Sequence, residues 1–407
     1  MKQFTIPFTY RSSFISSIKN KRREQDKMKK DFSPSLINLG TAEIYLARHF
    51  GFCYGVENAI EIAFKTIDEN TGKRIFLLSE MIHNPSVNAD LESRGVRFLQ
   101  DTKGQQLVSY DELDADDIVL IPAFGTTLDI EAKLKSIGIA IEHYNTTCPF
   151  VEKVWNRSKQ IAENNFTVVI HGKPGHEETR ATFSHAASNS PAVVVNNMAE
   201  AELLGSYIKN EKPAEQFYID FAGRYSDGFD VTKDLKRIGV VNQTTMLASD
   251  TQAISDFLKA LMLSMPGELS ATEKFADTND TLCYATNDNQ SAVYGLLQTE
   301  ADFAIVVGGY NSSNTSHLVD LCKEKLPTYF INDESKIISG KEILHYDLHK
   351  KEEILTQGFI PNKEPIRILI TSGASCPDSI VEKVILKLGK IFDAESTLKE
   401  INSSFIN

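Results

Sequence analysis

Residues 167–187 read TVVIHGKPGHEETRATFSHAA. Thr167, Val168, Val169 and Ile170 form a short β-branched run without polar alternation, as in a strand buried on both faces. Gly172, Pro174 and Gly175 break it with a turn, and His176, Glu177 and Glu178 open a helix with an acidic first turn. A buried strand, a polar turn at its carboxyl end and a helix are the repeating parts of a parallel α/β sheet.

The same unit recurs through the chain in three blocks. In the first, residues 43–46 lead to Gly51-Phe52-Cys53, 75–78 to His83-Asn84-Pro85, and 118–121 to Phe124-Gly125-Thr126-Thr127. In the second, 140–144 lead to Thr146-Thr147-Cys148-Pro149, 167–171 to the turn just quoted, and 239–241 to Asn242-Gln243-Thr244-Thr245. The third begins at Thr281-Leu282-Cys283-Tyr284. It continues with 303–307 before Asn311-Ser312-Ser313-Asn314, and 366–370 before Ser372-Gly373-Ala374-Ser375. Each block offers one cysteine turn, one turn rich in His or Asn and one of small hydroxyl residues. Ligands of open α/β sheets bind at the carboxyl ends of strands, where all nine turns lie. Three such blocks around a centre would aim nine polar turns at one site. A polar stretch near 196–237 reads as an insertion.

The chain has 407 residues, enough for two or three domains. No apolar run reaches the roughly 18–20 residues of a membrane span. A formal net charge of -12 argues against general nucleic-acid binding. The first 30 residues go the other way, with nine Lys+Arg against Glu24 and Asp26. They read as a structural extension, since Phe14 and Ile18 are four apart and begin a surface helix; an organellar transit peptide is the alternative.

Five scattered cysteines make a poor disulfide framework and point to a reducing compartment. Cys53, Cys148 and Cys283 each precede or begin a helix, where the dipole favours the metal-binding thiolate. Structural zinc usually takes local Cys pairs, whereas an iron–sulfur cluster accepts thiolates from distant segments. Three thiolates on a cubane leave one iron open to substrate. Cys322 shares a helix face with Leu318 and Leu321 and reads as a packed thiol, while the role of Cys376 stays open.

His83 and His176 end strands at matching places, and imidazole can donate to phosphate oxygens. Ser312, Ser313, Asn314 and Ser375 stand at helix starts, where they can cap and also bind phosphate. Asn84, before Pro85, reads mainly as a cap. Glu178 lies beside the proposed centre. A partly desolvated carboxyl near a bound polyanion would have a raised pKa, which suits a proton donor; an ordinary first-turn acid is the alternative. Thr244 and Thr245 would position substrate, relay protons or cap the next helix.

The segments GFCYGVENAI, IHNPSV, TTCPFVEKV, HGKPGHEETRAT, NQTTM, LCYATNDNQ, GGYNSSNTSHL and TSGASCPD together resemble the 4-hydroxy-3-methylbut-2-enyl diphosphate reductase family, from Arg48 to about Leu388. The extension and the insertion are similar to the longer form of that family. The resemblance implies three α/β domains, 43–138, 139–270 and 271–390, in a pseudo-threefold trefoil, with an extension at 1–42 and a tail at 391–407. It implies one [4Fe-4S] cluster on Cys53, Cys148 and Cys283, whose fourth iron takes the substrate hydroxyl. Two electrons and two protons then release water and give isopentenyl and dimethylallyl diphosphates. Diphosphate ligands would be His83, His176, Ser312, Asn314 and Ser375, with Ser313 beside them. Glu178 would supply the proton, assisted by Thr244 and Asn314. Electrons would come from reduced ferredoxin or flavodoxin, in the cytoplasm or, if the first 30 residues are a transit peptide, the plastid stroma. Phe124 departs from the pattern: many members have His there, so one diphosphate donor is missing. Cys376 replaces a small apolar residue. A non-catalytic iron–sulfur sensor or carrier would need the thiolates without Glu178, His83 or the NSSN turn, and a zinc-stabilised phosphate-binding module is a second alternative.

Overall fold

The computed structural model describes residues 4–28, 30–266, 270–276 and 281–406. Its strands, in chain order, are β1 (Ser35–Asn38), β2 (Ala42–Leu46), β3 (Ile75–Leu77), β4 (Arg97–Phe98), β5 (Ile118–Leu120), β6 (Thr167–His171) and β7 (Ala192–Val195). There follow β8 (Ile238–Asn242), β9 (Phe275–Ala276), β10 (Phe303–Val307), β11 (Thr328–Ile331), β12 (Glu342–Asp347), β13 (Glu352–Gln357) and β14 (Ile366–Ser372). The chain folds as two compact units: residues 1–57, 83–87 and 284–407 form one, and 58–82 and 88–283 the other.

The first unit is built on a five-stranded sheet in the order β1-β2-β14-β10-β11. All its pairings are parallel except β1, which joins one edge antiparallel to β2. The sequence FAIVV of β10 is buried at every position, as a central parallel strand with both faces covered must be. Residues 43–46, grouped by local pattern with the strands at 75–78 and 118–121, pair instead with β14 near the end of the chain. Ala42, Ile44 and Leu46 are fully buried there, an environment that any apolar parallel strand could satisfy, so the sequence pattern does not name the partner. The hairpin β12–β13 packs beside this sheet. Its Tyr346 stacks on Tyr310 at 4.4 Å, and the Tyr310 hydroxyl donates to Glu353 at 2.7 Å.

The expected N-terminal helix runs Ser13–Gln25 in this unit, capped by the Ser12 side chain, which accepts the Ile15 N–H. Phe14, Ile15 and Ile18 are buried, and Lys19 forms an ion pair with Asp378 at 2.7 Å.

The second unit holds two further parallel sheets, β4-β3-β5 and β7-β6-β8-β9. β6 spans the residues that the opening stretch predicts. Residues 140–144 are not a strand: Ile141–Tyr144 form a 3-10 helix, followed by a single bridge between Asn145 and Ile121. Glu142 and His143 are both exposed, so the segment lacks the alternate burial of a strand. The stretch at 196–237 folds into three short helices, Met198–Ile208, Ala214–Asp220 and Val231–Asp234. Its polar surface encloses an aromatic core in which Phe217 stacks on Phe221 and Phe229 at 5.0 and 5.1 Å. Full burial of each such side chain is worth about 1.5–3 kcal/mol.

Candidate active site

In the second unit, a line of direct contacts joins two cysteine turns. The Cys148 N–H donates to the Ala123 carbonyl at 3.0 Å. The neighbouring Phe124 sets its ring edge-on to His176, with centroids 5.6 Å apart. His176 caps the helix Glu177–Ala187, its Nδ1 accepting the Glu178 N–H at 3.1 Å. Glu178, 1% exposed, accepts the Thr244 N–H at 2.5 Å on one carboxyl oxygen and the Thr244 hydroxyl at 3.0 Å on the other. The Thr244 carbonyl in turn accepts the Cys283 N–H at 3.3 Å. Thr281, just upstream, is bonded to Asn242 at the end of β8. Phe124, His176, Glu178 and Thr244 thus form a contiguous strip between the backbones of Cys148 and Cys283.

Two residues that the sequence reading did not single out hold this strip in place. Buried Gln243 accepts from the Lys173 N–H at 3.1 Å and the Thr179 hydroxyl at 3.0 Å, and donates to Thr245 at 2.7 Å. It locks the turn after β8 to the turn after β6. Ser79 bonds to Glu177, which puts a second buried carboxyl next to Glu178. Position in a strand-end turn was the available signal for Gln243; nothing local marks Ser79.

The first unit gathers the other predicted residues around Ala374 and Ser375. The Cys53 N–H donates to the Ala374 carbonyl at 3.2 Å. Asn314 Oδ1 accepts the Ala374 N–H at 3.0 Å and the Asn289 side-chain amide at 3.3 Å. Its Nδ2 is buried without a hydrogen-bond partner among the described residues. Two acceptor bonds fix the amide so that this donor stays available, the arrangement expected of a group that binds a ligand oxygen. The Ser375 hydroxyl donates to the His83 carbonyl at 3.1 Å and lies 3.5 Å from the Ser312 hydroxyl. Ser312 caps the helix Ser313–Lys323, and Asn84 caps the helix Pro85–Ser93 while donating to the Ser375 carbonyl at 2.9 Å. Gly309 packs on the His83 carbonyl and Gly373 on the Thr315 side chain so closely that a Cβ at either would clash. Asn289, inside a helix, had no local signal apart from its place in LCYATNDNQ.

None of the five cysteines forms a disulfide among the described residues. Cys53 directly precedes the helix Tyr54–Glu69, Cys148 caps Pro149–Glu163, and Cys283 directly precedes Tyr284–Leu296. Burial pushes the Cys53 thiol up, opposed by the N–H groups of Val56 and Gly55 at the helix start. Cys322 and Cys376 are wholly buried and burial pushes each up to about 12, as for inert packed thiols. Among the described residues no three His, Cys, Asp or Glu side chains gather as ligands of one metal ion. A multi-iron cluster is bulky and needs no such close approach of its ligands. Cysteine thiols at three helix starts are a chemically apt donor set for it.

Parallel α/β sheets with cysteines at three helix starts, a buried hydrogen-bonded acid and a fixed amide donor have the layout of an enzyme of the α/β class. The family model described as LytB protein matches residues 44–389, and the chain belongs to that family. Its members among the similar proteins are reductases, and this chain is an oxidoreductase. It is 39% identical over 393 residues to 4-hydroxy-3-methylbut-2-enyl diphosphate reductase of Synechococcus sp. RCC307, covering 96% of this chain and 91% of that one. It is 37% identical over 380 residues to the enzyme of the same name from Picosynechococcus sp. PCC 7002, covering 93% and 89%. The fold resembles a solved reductase of Plasmodium falciparum, named E-1-hydroxy-2-methyl-but-2-enyl-4-diphosphate reductase. The TM-score is 0.61 at 22% identity, with 85% of this chain and 87% of that one covered. A second solved (E)-4-hydroxy-3-methyl-but-2-enyl diphosphate reductase, described as the terminal enzyme of the non-mevalonate pathway, aligns with a TM-score of 0.52 at 24% identity, covering 86% and 99%. Among the described residues no helix is long and apolar enough to cross a membrane.

Proposed function

We propose that this oxidoreductase removes the hydroxyl of 4-hydroxy-3-methylbut-2-enyl diphosphate as water, using two electrons and two protons, and yields isopentenyl and dimethylallyl diphosphates. The names of the relatives support the substrate. The observation that carries the chemistry is the Glu178 carboxyl, buried and held on both oxygens by Thr244, whose carbonyl is bonded to the backbone of Cys283. A [4Fe-4S] cluster on Cys53, Cys148 and Cys283 would supply electrons and a Lewis-acidic iron lacking a protein thiolate.

The residues of the chain then divide the remaining work. Glu178 holds the proton that leaves with the hydroxyl, and the Thr244 hydroxyl orients the carboxyl and relays a replacement. Asn314 donates its free Nδ2 to the substrate. His83, His176, Ser312, Ser313 and Ser375 bind diphosphate oxygens through side chains and helix-start N–H groups. Fixed donors of this kind cost no reorganisation when charge develops. Reduced ferredoxin or flavodoxin would supply electrons, and the cytoplasm is the place we assign, with the plastid stroma as the alternative.

The test is anaerobic turnover of the substrate by reduced, cluster-loaded protein, with both products measured. Glu178→Gln should abolish turnover and spare diphosphate binding. The Gln amide fits because the Thr244 hydroxyl can turn to accept from it while the Thr244 N–H still meets its carbonyl oxygen. Near-normal rates in this variant would remove Glu178 as proton donor. A colourless protein with stoichiometric zinc and no labile sulfide would remove the cluster.

A further inference from the structure

The first unit contains a cleft of about 360 Å³ that the proposed chemistry leaves unused, and Cys53 lines it. One wall is the N-terminal helix. Ser16, Lys19, Asn20 and Arg23 face the cleft at helical spacing, while Phe14, Ile15 and Ile18 are buried. Arg48 lies in the wall, 7% exposed.

Charge is distributed unevenly across the cleft. Lys19 is neutralised by Asp378, and Arg48 stands against Glu57 and Asp288, so the interior holds no excess of cations. The excess is at the rim. Arg11 and Arg23 are exposed, and each gives one N–H to an uncharged acceptor, the Phe4 carbonyl and Asn20 Oδ1. Neither forms an ion pair among the described residues. Both belong to a stretch of 30 residues with nine Lys+Arg and two acids, in a chain of net charge -12. The acidic body repels an acidic partner over most of its surface, and this face attracts one.

We propose that the arginine-rimmed cleft beside Cys53 is the docking surface for a small acidic one-electron carrier protein. The inference rests on the redox reading of Cys53 given above. Lys19 to Arg23 alone spans about 6 Å of helix axis, and Arg11 extends the cationic rim beyond the helix. Separated charges of this kind match an acidic protein patch better than one small anion. Each docking event oxidises one reduced carrier and delivers one electron, so two events supply the two electrons consumed per substrate. Of the two protons, drawn ultimately from solvent, one leaves with the hydroxyl as water and the other forms the new C–H bond of the product.

The experiment uses the full-length, cluster-loaded protein and an acidic plant-type ferredoxin as the probe. Oxidised ferredoxin should bind more tightly at low salt than at physiological salt, by anaerobic calorimetry. Arg11→Glu with Arg23→Glu should raise its Kd about tenfold or more at low salt and flatten the salt dependence. Arg11→Lys with Arg23→Lys should retain most of the binding. Arg23→Glu alone, on an exposed helix position, serves if the double variant folds poorly. Turnover driven by dithionite-reduced methyl viologen should be unchanged in every variant. Unaltered ferredoxin affinity and salt slope in the charge-reversal variants would overturn the docking surface. So would a loss confined to inorganic diphosphate binding, which would make the cleft a small-anion site. Absence of viologen-driven turnover in the parent protein would instead refute the proposed reaction, while the calorimetry still decides docking.

Discussion

Asn314→Asp isolates the free donor in the first unit. The replacement keeps an Oδ1 that accepts from the Ala374 N–H and the Asn289 amide, now at 3.0 and 3.3 Å, and exchanges the unpartnered Nδ2 for a second acceptor oxygen. A hydrogen bond to a charged group contributes about 1.5–3 kcal/mol. With tenfold per 1.4 kcal/mol, its loss weakens diphosphate binding about 10–150-fold. The added negative charge opposite phosphate pushes toward the upper end. Asn314→Ala is the control for structure. It strands the half-buried Ala374 N–H and the buried Asn289 amide, so it should lower stability by about 1–3 kcal/mol, which Asp should largely spare. Calorimetry with inorganic diphosphate reads the affinity, and denaturant melts of the same samples read the stability. An Asp variant that binds diphosphate within twofold of the parent would refute the argument that an orphaned amide donor marks the ligand site.

Other expectations concern separate parts of the molecule. Ser in place of Cys53, Cys148 or Cys283 should remove most iron and labile sulfide in anaerobic preparations, whereas Cys322→Ser, in a packed helix, should not; equal losses would dissolve the distinction between ligand and core thiols. Phe124→His should change diphosphate affinity more than iron content, since its ring sits against His176 at 5.6 Å; calorimetry and iron analysis on one preparation separate the two. His171 is fully buried, and burial holds its pKa down at about 4 against an ordinary value of 6.5. The unfolded chain therefore takes up a proton first as pH falls, so this group's contribution is intact above 6.5 and is lost toward 4. The loss reaches about 3 kcal/mol. The difference in denaturation midpoint between the parent and His171→Asn, measured at pH 4.5 and 7, should change accordingly; a pH-independent difference would exclude this linkage.

How far the sequence could be read depended on whether the deciding interaction is local. β6 and β10 were legible to the residue because an unbroken apolar run between turn residues has one reading. The N-terminal helix was legible from Phe14 and Ile18. Residues 140–144 were not, because two exposed polar residues in a row favour a tight helical turn only once Asn145 is bridged to Ile121. The sheet partner of β2 was hidden, since pairing with β14 is a long-range choice among similar apolar strands. In the site, the helix starts at Cys148, His176 and Ser312 were visible as polar turns that open helices. The bond from Thr244 to Glu178, the brace through Gln243 and the grip of Asn289 on Asn314 join residues far apart in sequence. Each exists only after the sheets have formed.

The pairing of β2 with β14 has a consequence for how the protein is made. Glu43 and Arg367, whose side chains meet across these strands at 3.0 Å, are 324 residues apart. At about 5–20 residues per second, a ribosome needs tens of seconds between them. β2 therefore leaves the ribosome with no permanent neighbour except β1, and Cys53 waits on an unfinished surface while the second unit is completed. The thiol made first thus waits for the strand made last, so a nascent chain stays open to oxidation or holdase capture until that strand arrives.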